Sequence, residues 1–442
     1  MNVRKILLAL AFAGLFSAFG FAQKTPFVTA SNGQFFIGKK PYYFIGTNYW
    51  YGSLLGLEKD KKRGVQRLRR ELDFLKENGI TNLRIMAGAE GSGLISGITR
   101  VEPPLQPEQG KFDAAVAASL DLLLFEMGKR DLKAVIFFSN NWEWSGGFQQ
   151  YLIWNDQIAD DLKTRKLTWD EQRDVVSRFY GCEPCKSAYN KQVDFLLNRT
   201  NKFNKRRYAN DPTIMAWELA NEPRPMRPAV EKDYKKWIAD TAAMIKKKDK
   251  KHLVCIGHEG RIGTEGMPLF EEIHRDKNID YLTIHIWPKN WAWFAKGKFD
   301  AEYKTAEFKT GEYVKEHIAM AKKLEKPIVI EEFGLPRDGE SVDIASSTKL
   351  RDRFYSAFFN TLFSEENSGG YLAGVNFWAF GGEAKPKKDQ PFWKQGDDYS
   401  GDPPMEEQGL NSVFESDEST WKIIRYYSAV MTLNPPRVSE RP

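Results

Sequence analysis

Glu222 and Glu332 are the residues through which this chain could do chemistry. Each closes a short motif, Trp217-Glu218-Leu219-Ala220-Asn221-Glu222-Pro223 and Glu331-Glu332-Phe333-Gly334. Arg84, Asn141, Trp142, His285, Trp287 and Trp378 occupy comparable places, each at or just past the end of a short apolar run. Two carboxyls with a guanidinium, amides, an imidazole and indoles around them can act on an acetal. One carboxylic acid protonates the departing oxygen, and the other carboxylate attacks or stabilises the oxocarbenium-like carbon. A separation of about 5–5.5 Å between them gives retention of configuration, and about 6.5–9.5 Å gives inversion.

The neighbours divide the labour. Pro223 ends the first motif and fixes its direction, and Asn221 can bond a sugar 2-hydroxyl. Arg84 near Glu332 would favour its ionised form. Glu222 then needs a raised pKa, sustained in part by its anionic neighbour, so that it starts as acid and becomes base once the charge on Glu332 is consumed. Glu218 and Glu331 are adjacent carboxyls that alternation along a strand should turn to the opposite side, so Glu331 is expected to be structural.

These side chains need a scaffold that gathers strand ends. Past residue 40, apolar runs alternate with amphipathic segments, the rhythm of βα units around a parallel sheet. The runs fall at 42–47, 82–86, 132–138, 214–219, 253–257, 281–286, 327–330 and 375–380. Between them, helical spacing appears in Val65, Leu68, Leu72 and Leu75, in Val116, Leu120, Leu123 and Met127, and in Tyr234, Ile238, Thr241 and Ile245. Eight strands in unbroken alternation predict a single (β/α)8 TIM barrel, whose active site lies at the C-terminal strand ends. An open doubly wound sheet would usually carry a Gly-rich phosphate loop, and none follows a strand here. Long aromatic loops after strands three and eight, residues 143–181 and 383–420, should wall a cleft, with Trp144, Tyr151 and Trp154 in one and Phe392, Trp393 and Tyr399 in the other.

Composition narrows the partners. The net charge of +6 is a small excess of 65 basic over 59 acidic residues, with the lysines of 246–251 at a helix end, which argues against nucleic acid as a partner. Thirteen tryptophans exceed what a core needs and suit stacking on sugar C–H faces. Arg4 and Lys5 precede an apolar run over residues 6–21 and a small-residue site, so residues 1–22 are read as a signal peptide and residues 23–442 as the catalytic domain of a secreted or periplasmic protein. The run is short for a bilayer span, so no stable membrane insertion is expected. Cys182 and Cys185 could close a tight loop or stay reduced, and Cys255 should simply pack. Five histidines without ligand spacing give no metal site, and the chemistry needs no cofactor.

Asp211-Pro212-Thr213-Ile214-Met215-Ala216-Trp217 running into the Glu222 motif and Arg224, the stretch Lys326–Gly334, and Asn140-Asn141-Trp142-Glu143-Trp144-Ser145-Gly146-Gly147 resemble glycoside hydrolase family 5 of clan A, in its β-mannanase/β-mannosidase branch. The likeness spans nearly all of the chain after the leader. It implies Glu222 as acid/base, Glu332 as nucleophile, Asn221 and Arg84 as their supports, His285 in the same site and Trp378 as a sugar platform. Many members have an aromatic hydroxyl two residues after the histidine, placed to bond the nucleophile. Trp287 stands there instead, as donor from a different place or as a sugar platform. The substrate so implied is β-mannan or manno-oligosaccharide, cut by an endo-1,4-β-mannosidase; separately from the resemblance, a monomer is expected. An exo-acting β-mannosidase, with the loop over 382–408 closing the glycone side, and a cellulase-type endo-β-1,4-glucanase are the enzyme alternatives. A carbohydrate-binding protein that had lost catalysis should have lost one of Glu222, Glu332 and Asn221.

Overall fold

Eight apolar segments become parallel strands because both faces of each are covered. The strands are β1 (Phe44–Asn48), β2 (Asn82–Met86), β3 (Lys133–Phe137), β4 (Ile214–Glu218), β5 (Leu253–Cys255), β6 (Leu282–Ile286), β7 (Ile328–Phe333) and β8 (Leu372–Phe377), and every residue in them is buried. The computed structural model describes residues 26–433, so the leader expected over 1–22 lies outside the described residues. The sheet runs β5-β4-β3-β2-β1-β8-β7-β6. Its two ends meet, because Asp280 N–H donates to the Val254 carbonyl at 2.8 Å and His285 N–H to the Glu259 carbonyl at 3.2 Å. The ring is therefore closed, as the alternation predicts.

The helices that follow these strands, α1 (Lys61–Glu77), α2 (Ala114–Lys129), α3 (Glu183–Asn198), α4 (Glu231–Lys248), α5 (Met267–His274), α6 (Phe299–Leu324), α7 (Lys349–Ser368) and α8 (Glu418–Leu433), form the outer layer. Asp60 and Asp113 cap the first turns of α1 and α2. Leu68, Leu72 and Leu75 of α1 and Val116, Leu120, Leu123 and Met127 of α2 are buried, the faces their spacing predicts. Gly79 follows α1 at φ 84°, in the left-handed region where a glycine costs least.

Three features depart from the sequence reading. A small antiparallel sheet, Val28–Ser31, Gln34–Ile37 and Lys40–Pro41, closes the N-terminal end of the barrel. Its Val28 and Phe35 pack with Phe44, Val135, Met215, Tyr281 and Val329. β8 begins three residues earlier than its apolar run suggests, at Leu372, and β7 extends through Glu331 and Glu332. The insertion after β3 is mostly helical, with helices at Gly147–Trp154, Asp160–Thr164 and Trp169–Ser177. Its Tyr151 turns into the core, packing near Phe179 and Tyr189, and Trp154 stacks edge-on against Tyr151. Neither lines the cleft. Cys182 and Cys185 form a disulfide beside this insertion, and Cys255 is a buried free thiol.

Candidate active site

The mouth of the barrel holds a cleft of about 790 Å³. Glu222 and Glu332 open into it with Trp142, Trp144, Asn221, Arg224, Trp287 and Trp378. Each carboxyl is carried by a local irregularity. Glu222 has φ 51°, a left-handed conformation uncommon outside glycine. β7 slips register against β6 between Ile330 and Glu332: Ile330 pairs with Ile284 and Glu332 with His285, so Glu331 has no partner. That bulge overturns the alternation argument for Glu331. Both adjacent carboxyls point into the barrel, Glu332 at the mouth and Glu331 one layer below, near Tyr281 and Cys255. Glu218 likewise faces inward.

Arg84 organises this floor. Its Nε and Nη2 donate to the two oxygens of Glu218 at 2.8 and 2.6 Å. Nη1 donates to Glu332 Oε1 at 2.5 Å and to Asn48 Oδ1 at 3.0 Å, and Nη2 also reaches Asn221 Oδ1 at 2.7 Å. Trp287 Nε1–H donates to Glu332 Oε2 at 3.0 Å. Of the two places the sequence left open for this indole, the structure shows it facing Glu332. At Glu222, Trp142 Nε1–H donates to Oε2, and His285 Nδ1 lies 2.7 Å from Oε1 and 3.3 Å from Glu332 Oε2.

One oxygen each of Glu222 and Glu332 and one imidazole nitrogen of His285 lie within 4.8 Å of one another. Burial pushes both carboxyls up, Glu332 well above the usual carboxylate range, and the charge of Glu222 adds to the rise at Glu332 while Arg84 opposes it. Two carboxyls this close share one proton at neutral pH. Their donors differ. Each carboxyl accepts an indole N–H, but only Glu332 also accepts from a guanidinium, which favours its ionised form against the larger rise that burial imposes on it. Burial holds His285 down to about 4, a neutral imidazole at neutral pH.

Asn221 presents its amide beside Glu222, with Nδ2 donating to Asn140 Oδ1 at 3.0 Å. Asn141 is not brought to the cleft. Its side chain is fully buried and its Oδ1 accepts the Arg224 N–H at 3.3 Å, so it holds the strand-four loop from beneath. Trp378 lies at the end of β8, edge-on to Trp287 and Trp144 with centroids 6.1 and 6.3 Å apart. Arg224, paired in a fork with Glu259 and set over the Trp142 ring at 5.1 Å, was not singled out from the sequence, although it closes the motif that carries Glu222. The segment after β8 adds Phe392, Met405, Glu406, Leu410 and Asn411 to one wall. Asp402 pins it by accepting the N–H groups of Gly409 and Asn411 at 2.8 and 2.9 Å. Trp393 and Tyr399, stacked 4.9 Å apart, face a separate groove on its other side. Two trios of donors, Glu222-His285-Glu332 and Glu218-Cys255-Glu331, are close enough to bind a cation. Arg84 already supplies positive charge to both.

A closed barrel with two buried, unequally supported carboxyls at its mouth defines a glycoside hydrolase. The sequence profile described as "GH family 5 beta-mannosidase-like" matches residues 25–434, and the chain belongs to that family. A solved glycoside hydrolase family 5 mannosidase from Rhizomucor miehei is 31% identical, superposes with a TM-score of 0.81 and is matched over 93% of this chain and 98% of its own. Mannan endo-1,4-beta-mannosidase 4 of Solanum lycopersicum is 29% identical over 65% of this chain and 70% of its own. Mannan endo-1,4-beta-mannosidase 2 of Oryza sativa subsp. japonica is 26% identical over 87% and 83%.

Proposed function

We propose that the chain hydrolyses β-1,4-mannosidic bonds of mannan and manno-oligosaccharides with retention, as a mannan endo-1,4-β-mannosidase. The observation that carries this is the carboxyl pair, with oxygens within 4.8 Å and unlike donors. That spacing suits direct attack on the anomeric carbon and leaves no room for the water that inversion interposes. In this reading Glu332, charged and held by Arg84 and Trp287, attacks the sugar while Glu222 protonates the leaving oxygen. Having given up its proton, Glu222 is a carboxylate no longer opposed by a charge on the glycosylated Glu332, so it takes a proton from a water that attacks the anomeric carbon and frees Glu332 as the carboxylate. Asn221 faces the sugar 2-hydroxyl, and Trp378 offers its ring to the glycone. Mannan as substrate is supported by the names of the relatives, which do not favour a glucanase.

Release of mannose from chain ends is a second reading, favoured by the wall that Phe392, Met405, Glu406 and Leu410 build on one side of the cleft. The early products from mannohexaose test both. Mixed oligosaccharides without a mannose burst support the endo reading, and mannose plus the next shorter chain supports the exo reading. No attack on manno-oligosaccharides, with attack on cello-oligosaccharides, would overturn both. Export through residues 1–22 and a monomeric state complete the proposal; the N-terminal sequence of secreted material and its sedimentation test them.

A further inference from the structure

The barrel interior leaves two buried polar atoms without hydrogen-bond partners that face each other. His285 Nε2 and Glu331 Oε2 are 4.0 Å apart, and both residues are fully buried. A buried donor or acceptor left unmade costs about 1–3 kcal/mol, so such atoms pair where they can. Bringing these two to about 3 Å takes about 1 Å of travel. The other oxygen of Glu331 already behaves as a carbonyl. Oε1 accepts from Tyr281 O–H at 3.2 Å and from the Cys255 thiol at 3.7 Å.

We propose that Glu331 is a neutral carboxylic acid whose Oε2–H donates to His285 Nε2, fixing His285 as the Nδ1–H tautomer. Glu331 is then a positioning residue for the acid/base, acting through the imidazole. The proposal rests on the reading of Glu222 as the acid. With Nδ1 protonated, His285 is a donor on that side, to Glu222 Oε1 at 2.7 Å with Glu332 Oε2 farther off at 3.3 Å. The proton of Glu222 is then left on Oε2, beside Trp142 and facing the cleft. In the opposite tautomer Nδ1 becomes an acceptor, takes the Glu222 proton into a hydrogen bond, and turns it from the leaving group.

The charged groups around the pair divide: Glu218 opposes ionisation of Glu331 and Arg84 favours it, while Arg84 opposes an imidazolium at His285 and Glu259 favours one, and burial outweighs the groups that favour charge. Glu218 from β4 faces Glu331 and disfavours a second buried anion. Arg84 from β2 is 3.9 Å from Glu331 but spends its hydrogen bonds on Glu218, Glu332, Asn48 and Asn221. Tyr281 and Cys255 are neutral donors. Around His285 stand Glu222, Glu332, Glu259, His258 and Arg84. Burial, followed by Glu218, pushes Glu331 up, and burial holds His285 to about 4. Between that pH and the pH at which Glu331 ionises, both groups are neutral.

The chain has only five histidines, so ¹⁵N-histidine labelling of the full protein resolves each ring. Long-range ¹H–¹⁵N correlation at neutral pH should show His285 neutral with Nδ1 protonated; the Nε2–H tautomer or an imidazolium would overturn the proposal. This readout is independent of any substrate, so it stands or falls apart from the mannosidase reading. Glu331→Gln restores the geometry, with its carbonyl toward Tyr281 and its NH2 toward Nε2, and should keep kcat within about threefold. Glu331→Leu removes the donor and should lower kcat by about tenfold or more. It should also move the basic limb of the pH profile upward, because an accepting Nδ1 stabilises protonated Glu222, with KM little changed. Loss in Glu331→Gln as deep as in Glu331→Leu, or a fall in kcat with an unmoved basic limb, would refute it.

Discussion

Replacing Trp287 by Phe separates two roles an indole can play at this position. The substitution keeps an aromatic ring against Trp378 and over Gly334, where a Cβ would stand only 2.9 Å from the Trp287 ring. It removes one thing, the N–H that donates to Glu332 Oε2 at 3.0 Å. A hydrogen bond to a charged group contributes about 1.5–3 kcal/mol. That bond favours only the ionised form of Glu332, so its loss raises the pKa of the nucleophile by about one to two units at 1.36 kcal/mol per unit. The acidic limb of kcat/KM should therefore move to higher pH by that amount, with activity vanishing sooner as the pH falls. The plateau should change by less than about tenfold, because the charge on Glu332 is consumed in the transition state and the bond supports the resting enzyme more. Initial rates on an aryl β-mannoside across pH, with the melting temperature as a check on folding, make the measurement. A plateau that collapses while the acidic limb stays in place would show that Trp287 serves the sugar and not the nucleophile.

Glu222→Gln and Glu332→Gln should each remove most turnover while the melting temperature holds; near-normal rates from either purified variant would sink the role given to it. Arg84→Met should destabilise the fold by about 3–5 kcal/mol, since it strands the buried Glu218 carboxylate and uncovers Glu332, and a melting curve close to that of the unaltered chain would contradict this. Asp249 carries a pH signal of its own. Burial pushes its carboxyl up, but His252 Nδ1, Trp217 Nε1–H and the Lys251 N–H outweigh that and hold it at about 2 against an ordinary 3.8. The depressed value means about 2 kcal/mol of stability present above the ordinary value and lost as pH falls through about 2, so Asp249→Asn should flatten the acid-unfolding profile in that window. Removing the Cys182–Cys185 bond, which closes a loop of few residues, should cost about 2 kcal/mol or less, read as a drop of a few degrees in melting temperature.

The barrel was legible because its signal is repetitive: eight apolar runs, each followed by a helical face such as Leu68-Leu72-Leu75. Strand ends were harder to read. β7 looks finished at Ile330 because Glu331 and Glu332 are charged, yet both lie within the strand, buried by partners that come from β2, β5 and β6 and leave no local trace. The bulge that puts both carboxyls inside depends on pairing with β6, which the residues of β7 do not encode by themselves. Tyr151 was read as a cleft residue because its segment follows a strand end; the helix Gly147–Trp154 turns it into the core instead. Arg224 lay within the stretch that carried the family likeness, and only its fork with Glu259 reveals that it belongs to the site.

Charge balance explains why this site needs protons where it has them. Around Arg84, Arg224 and His285 the barrel gathers the buried carboxyls of Glu218, Glu222, Glu259, Glu331 and Glu332, with the two guanidinium groups as the cations they pair with. Arg224 is committed to Glu259. Arg84 is committed to Glu218 through two of its nitrogens, and its third reaches Glu332, whose other oxygen takes the Trp287 N–H. Glu222 and Glu331 have no cation of their own, and a buried carboxylate without one is too costly to keep ionised. In the proposed reading the two protons sit on Glu222, which delivers one to the substrate, and on Glu331, which stands behind His285. A substitution that gave Glu331 a cationic partner would ionise it and draw a proton onto His285 Nε2, changing the imidazole without touching the cleft. The wiring of the acid/base thus extends one layer below the residues that meet the sugar.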